Sequence, residues 1–103
     1  PKQTEANLDA ILEKLKKRGV LVLLTGMYAP PNMGRAFGRR FNAIFPRLAE
    51  KHNVLFYRFF LEGVAGKPAL NQADGLHPNE KGAAIIARRL YPYVRKLVEI
   101  AQR

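Results

Sequence analysis

The chain has 103 residues, 18 Lys and Arg against eight Asp and Glu, a net charge of +10, 48% hydrophobic residues and no cysteine. This length holds one small domain at most, and the composition is that of a globular chain rather than a disordered one. Disulfides, thiolate metal sites and a cysteine nucleophile are excluded, and no apolar run approaches the ~20 residues needed to cross a bilayer.

The spacing of Leu8, Ile11, Leu12 and Leu15 predicts a first helix over about Thr4 to Arg18. Lys16, Lys17 and Arg18 suit the negative end of its dipole, and Gly19 can close it in the left-handed conformation. Val20 to Leu24 is a short apolar run between Gly19 and Gly26, as expected of a strand buried on both faces of a parallel sheet. Tyr28 to Gly34, with Pro30, Pro31 and Asn32, reads as a loop. A second helix is expected over about Arg35 to Lys51, with Phe37, Phe41, Ile44, Phe45 and Leu48 on one face. Pro46 should kink or restart it. Val54 to Tyr57 reads as a second strand, so strand, helix and strand form a right-handed βαβ unit.

Phe59 to Leu76 is irregular, punctuated by Gly63, Gly66, Pro68 and Gly75. A third helix is expected to start near Pro78 and to run past Ile85, Ile86 and Leu90 towards Val98, bent at Pro92. Two apolar parallel strands do not make a stable sheet alone, so the expected fold class is α/β in a chain that is either incomplete or obligately paired with another polypeptide.

The stretch Asp74-Gly75-Leu76-His77-Pro78-Asn79 carries the clearest chemistry. A carboxylate three residues before a histidine can fold back onto the ring, fix its tautomer and free the other nitrogen as a base. The same spacing also fits a helix-capping aspartate beside an ordinary loop histidine. His52, after Lys51 at a helix end, reads as a solvated partner of the helix dipole. Phe56, Phe59 and Phe60 read as core. Tyr28 and Pro30 follow the first strand, where open α/β sheets bind ligands, and plain loop structure is the alternative.

Asp74-x-x-His77-Pro78 before the last helix resembles the final signature block of the GDSL-type (SGNH) serine hydrolases. The likeness extends over Val20 to Met27, Ala29 to Asn32, Phe41 to Pro46, Phe59 to Val64 and Leu70 to Asn79, and is closest to the arylesterase, acyl-thioesterase and lysophospholipase branch. The resemblance implies a three-layer α/β/α sandwich, of which residues 1–103 would be the C-terminal portion. It implies a Ser-His-Asp triad acting on short acyl esters or thioesters, with His77 as base and acid and Asp74 orienting it. Tyr28 and Pro30 would be candidate substrate-binding residues.

No cofactor or metal is implied. The chain contains no serine, only Thr4 and Thr25 among aliphatic hydroxyls. The family's oxyanion-hole glycine and asparagine also lie in blocks that do not occur here. The expected partner is therefore an N-terminal half carrying the serine, without which the chain would be inactive. The net charge alone also fits a basic module for nucleic acid or an anionic membrane; nucleic acid is not expected as the partner of a hydrolase half.

Overall fold

The computed structural model describes all 103 residues. Helix α1 spans Lys2–Lys17, strand β1 Leu23–Thr25, helix α2 Arg35–His52, strand β2 Leu55–Tyr57 and helix α3 Glu80–Ala101. Single 3-10 turns at Pro31–Met33 and Pro68–Leu70 lie in the two long loops. β1 and β2 pair in parallel, Leu23 opposite Leu55, Leu24 opposite Phe56 and Thr25 opposite Tyr57.

Side chains alternate across the pair, as pleating requires. Leu24 and Phe56 face a core built with Leu12 of α1 and Ile44, Phe45, Leu48 and Ala49 of α2. Tyr57 points the other way and meets Tyr93 of α3, ring centroids 4.8 Å apart. α3 packs on both strands and on neither α1 nor α2. The layering is therefore α1 and α2, then the strand pair, then α3: an α/β/α sandwich only two strands wide.

The expected β1 at Val20–Leu24 is displaced. The Val20 amide still donates to Leu15 O, so the chain is leaving α1 there. Strand geometry begins only where Leu55 supplies a partner, and Val20 and Leu21 stay about half exposed. Pro46 does not restart α2, which continues unbroken to His52 and closes on Asn53 in the left-handed conformation. α3 likewise passes through Pro92, but it starts at Glu80 rather than near Pro78, because Asn79 caps it. Phe60 is partly exposed rather than core.

The molecule is thin and open. Its Cα radius of gyration is 15.1 Å, against about 13 Å for a compact domain of this length. Its accessible surface is 7571 Å², where a compact monomer of this mass exposes about 5,800 Å². Exposed large apolar side chains lie on α3 (Tyr91, Tyr93, Val94, Val98), on α1 (Ile11) and at the entry to β1 (Val20, Leu21).

Candidate active site

In a parallel α/β unit the loops that follow the strands gather at one end of the sheet. The loop after β1 turns through Tyr28 into α2, and the loop after β2 leads through Phe59 and Asp74 into α3. Gly26 is held where a Cβ would collide with Arg58 O, so the two strand exits lie side by side. Tyr28 stacks on Phe59, centroids 4.4 Å apart, and the Ala29 amide donates to Asn42 Oδ1 at 2.7 Å.

The second loop is tied down from within. Asn71 is buried, and its Nδ2 donates to Val64 O and Lys67 O, both at 2.8 Å. The Asn79 amide donates to Leu70 O, its Nδ2 to Ala69 O and Asn71 O, and its Oδ1 accepts from Gly82 N at the start of α3. Gly82 lies so close to Leu70 O that a Cβ would not fit. The Gln72 amide donates to His77 O at 2.7 Å, closing residues 72–77 into a tight bend. Gly75, at φ 72°, supplies the left-handed step inside it.

Within that bend Asp74 and His77 meet. Asp74 Oδ1 accepts from the backbone amides of Leu76 (2.9 Å) and His77 (3.1 Å). Oδ2 lies 2.6 Å from His77 Nδ1. The hydrogen bond from the His77 ring, then the two amides, hold the Asp74 carboxyl down at about 2. It is therefore a carboxylate throughout the neutral range, so Nδ1 is the protonated ring nitrogen, and the Nε2 of a neutral ring carries the lone pair. Nε2 has no hydrogen-bond partner in the chain, and the side chain is 72% exposed. Asp74 does not cap α3; Asn79 does.

Of the residues singled out in the sequence, Asp74 and His77 come together. Tyr28 and Pro30 stand at the C-terminal end of β1, and no hydrogen bond, ion pair or ring contact links them to the histidine. Two cavities, of 410 and 510 Å³, lie elsewhere and touch neither Asp74 nor His77. No group of acidic residues and histidines is arranged to hold a metal ion. Asn71 and Asn79 escaped the sequence reading. Asn79 had a signal, an asparagine directly before an acidic first helical residue. Asn71 had none, because its partners are loop carbonyls.

A sequence model of the GDSL-like lipase/acylhydrolase family matches residues 1–85. The chain belongs to that family. It is 38% identical over 98 residues to the Escherichia coli (strain K12) protein called thioesterase 1/protease 1/lysophospholipase L1, a match covering 95% of this chain and 47% of that protein. It is 32% identical over 98 residues to esterase TesA of Pseudomonas aeruginosa, covering 95% and 49%. Among solved structures, that of TesA superimposes with a TM-score of 0.86 at 32% identity, over 94% of this chain and 54% of that one. AlinE4, an SGNH-hydrolase family esterase, superimposes with a TM-score of 0.70 at 42% identity, over 93% and 51%. The chain thus spans about half the length of the hydrolases it matches, and its two-strand sandwich is an SGNH-type arrangement.

His52 is not the solvated residue its flanking charges suggest. It is 6% exposed. Its Nε2 lies 2.5 Å from Asp9 Oδ1, and its Nδ1 faces Glu13 Oε2 at 3.8 Å. Helix α1 lies alongside the last turns of α2 and brings these carboxylates to the ring, which no local pattern around residue 52 encodes.

Proposed function

We propose that this chain is the histidine- and aspartate-bearing portion of an SGNH-type ester or thioester hydrolase, with the nucleophilic serine and oxyanion-hole donors carried by a segment outside this sequence. The observation that carries the reading is the Asp74–His77 pair, with Nδ1 engaged and Nε2 free at the mouth of the sheet. The surplus of exposed surface, with its apolar side chains on α3 and at the entry to β1, is what a docked complementary segment would cover.

The chemistry follows from the tautomer. A serine hydroxyl brought against Nε2 gives up its proton there as Oγ attacks the acyl carbonyl. The ring becomes imidazolium, and the Asp74 carboxylate, ionised and fixed by two amides, stabilises that charge and holds the ring plane. His77 then passes the proton to the departing alkoxide or thiolate. A water next gives its proton to Nε2 as its oxygen attacks the acyl carbon, and His77 returns that proton to the serine Oγ as the acyl–oxygen bond breaks and the acid leaves. Tyr28 and Pro30 belong to the wall on which an acyl group would lie. The relatives' names, thioesterase, lysophospholipase and arylesterase, support acyl esters and thioesters as the substrate class of this reading.

The test joins this chain to the serine-bearing N-terminal portion of the E. coli relative. Fluorophosphonate labelling of the serine and hydrolysis of a p-nitrophenyl acyl ester are expected, both lost on His77→Ala. A folded fusion that takes no label, or one whose turnover survives His77→Ala, overturns the assignment.

A further inference from the structure

The charges of this molecule are unevenly neutralised. No Asp or Glu occurs anywhere in residues 14–49. Cations near the end of α2 have partners on α1, Arg47 with Glu5 and Lys51 with Asp9. At the other end of the same helix Arg35, Arg39 and Arg40 are exposed, and their side chains make no ion pair or hydrogen bond. The acidic groups on the neighbouring loop are already engaged, Glu62 with Arg58 and Asp74 with His77.

These three arginines stand beside apolar side chains that water meets freely. Met33, in the 3-10 turn leading into α2, is 50% exposed, and Tyr28 is 40% exposed. Leu76 projects next to His77 and is 69% exposed. All four segments lie at the C-terminal ends of the strands. Beneath them Phe37 and Phe41 stack on each other at 5.9 Å and hold the first turns of α2 on the body of the molecule. The rim is thus an apolar edge bordered by unpaired guanidinium groups on a firm base.

We infer that the rim formed by Tyr28, Met33, Arg35, Arg39 and Arg40 docks on the surface of an anionic phospholipid bilayer. Guanidinium groups pair with lipid phosphates in forked geometry. Tyrosine and methionine side chains suit the headgroup layer, where one end is apolar and the other wet. A duplex nucleic acid would use the arginines and leave Met33 and Leu76 in water, so the bilayer fits more of the surface. Docked in this way, His77 faces the layer from which a lipid-derived acyl ester would enter. That use rests on the hydrolase reading, whereas the docking itself is measured without turnover, so either can fail alone.

The chain has no tryptophan, so Met33→Trp places a single reporter on the rim. Titrated with vesicles of equal phosphatidylglycerol and phosphatidylcholine, its emission should shift to the blue; with pure phosphatidylcholine it should not. Arg35→Gln, Arg39→Gln and Arg40→Gln together, added to the reporter chain, should weaken binding roughly a hundredfold. Lys14→Gln, Lys16→Gln and Lys17→Gln remove the same charge from the opposite end of the sheet and should weaken it less than about fivefold. Far-UV circular dichroism checks that each variant is folded, and the single reporter substitution at an exposed site gives a reading without the triple variants. Three results overturn the inference: sedimentation with the vesicles without an emission shift, equal losses in the two triple variants, and tighter binding to duplex DNA than to anionic vesicles at the same salt. Failure of the unaltered chain to bind anionic vesicles at ~50 mM salt also overturns it.

Discussion

The chain holds two aspartate–histidine pairs of nearly equal length, 2.5 Å between Asp9 and His52 and 2.6 Å between Asp74 and His77, placed in opposite surroundings. His52 is enclosed between α1 and α2, with Nε2 held by Asp9 and Nδ1 facing the Glu13 carboxylate at 3.8 Å, so neither nitrogen is open to an incoming ligand. His77 stands in the open, with one nitrogen held and the other free. Asp9 shares its charge between His52 and Lys51 on a neighbouring helix. Asp74 is fixed by amides two and three residues away and so keeps its geometry whatever the helices do. The same pair of side chains joins helices in one place and presents a base in the other. Access to the second nitrogen separates the two roles.

The comparison is broken most sharply by replacing the histidines in turn. In the serine-complemented protein, His77→Ala should lower kcat/KM by on the order of 10⁵-fold, with thermal stability nearly unchanged. Asp74→Asn should lower it by about 10³-fold, since the amide favours the wrong ring tautomer. His52→Ala should do the reverse. Loss of a buried, hydrogen-bonded side chain should cost about 2 kcal/mol, or ~6 °C in Tm for a protein of about twice this length, and leave kcat/KM within about threefold. Thermal melts and steady-state kinetics on the three variants check all of this. A large activity loss in His52→Ala without a stability loss would erase the distinction.

A smaller effect tests how the open pair is held. Asn79→Ala removes the α3 cap and the tethers to Ala69 and Asn71. It should cost about 1 kcal/mol in stability and reduce turnover by about tenfold, read from melts and kinetics together.

The acid limb sharpens the comparison further. Asp74 lies below its ordinary value of 3.8, at about 2, mainly through the His77 ring. A depressed folded value means that its contribution is complete above about pH 4 and is lost as pH falls towards 2. Asp9 is also lowered, through His52 first and then Lys51, so its contribution too disappears on acidification below 3.8. Carbon-13 shifts of the two carboxyls should both titrate below 3.8. His52→Ala should return Asp9 upwards and leave Asp74 unmoved.

Much of the local design is legible in residue order. Helices α1 and α2 follow from their apolar spacing, Gly19 takes the left-handed turn expected of it at φ 70°, and the three-residue spacing of Asp74 and His77 with Gly75 between allows the contact that forms, though it fits a capping aspartate equally. Expectations failed where a partner decides the outcome. β1 begins at Leu23 rather than Val20 because Leu55 lies opposite it, and Phe60 is partly exposed because the loop after β2 turns it outward. α2 does not restart at Pro46, and α3 runs on through Pro92. One missing backbone donor is offset by the packing of the rest of a long amphipathic helix.

Periodicity, turn residues and short-range carboxylate spacing are local quantities, and residue order alone carries what they govern: the helices, the βαβ order and the short turn between Asp74 and His77. Burial and pairing are relations between segments distant along the chain. It is the packing of such segments that encloses His52 between Asp9 and Glu13, some forty residues away, makes Asn71 the anchor of the loop, and lays α3 over the face of the strand pair opposite α1 and α2. A side chain's surroundings come from whichever elements the fold brings against it, and its own neighbours in sequence carry no record of them.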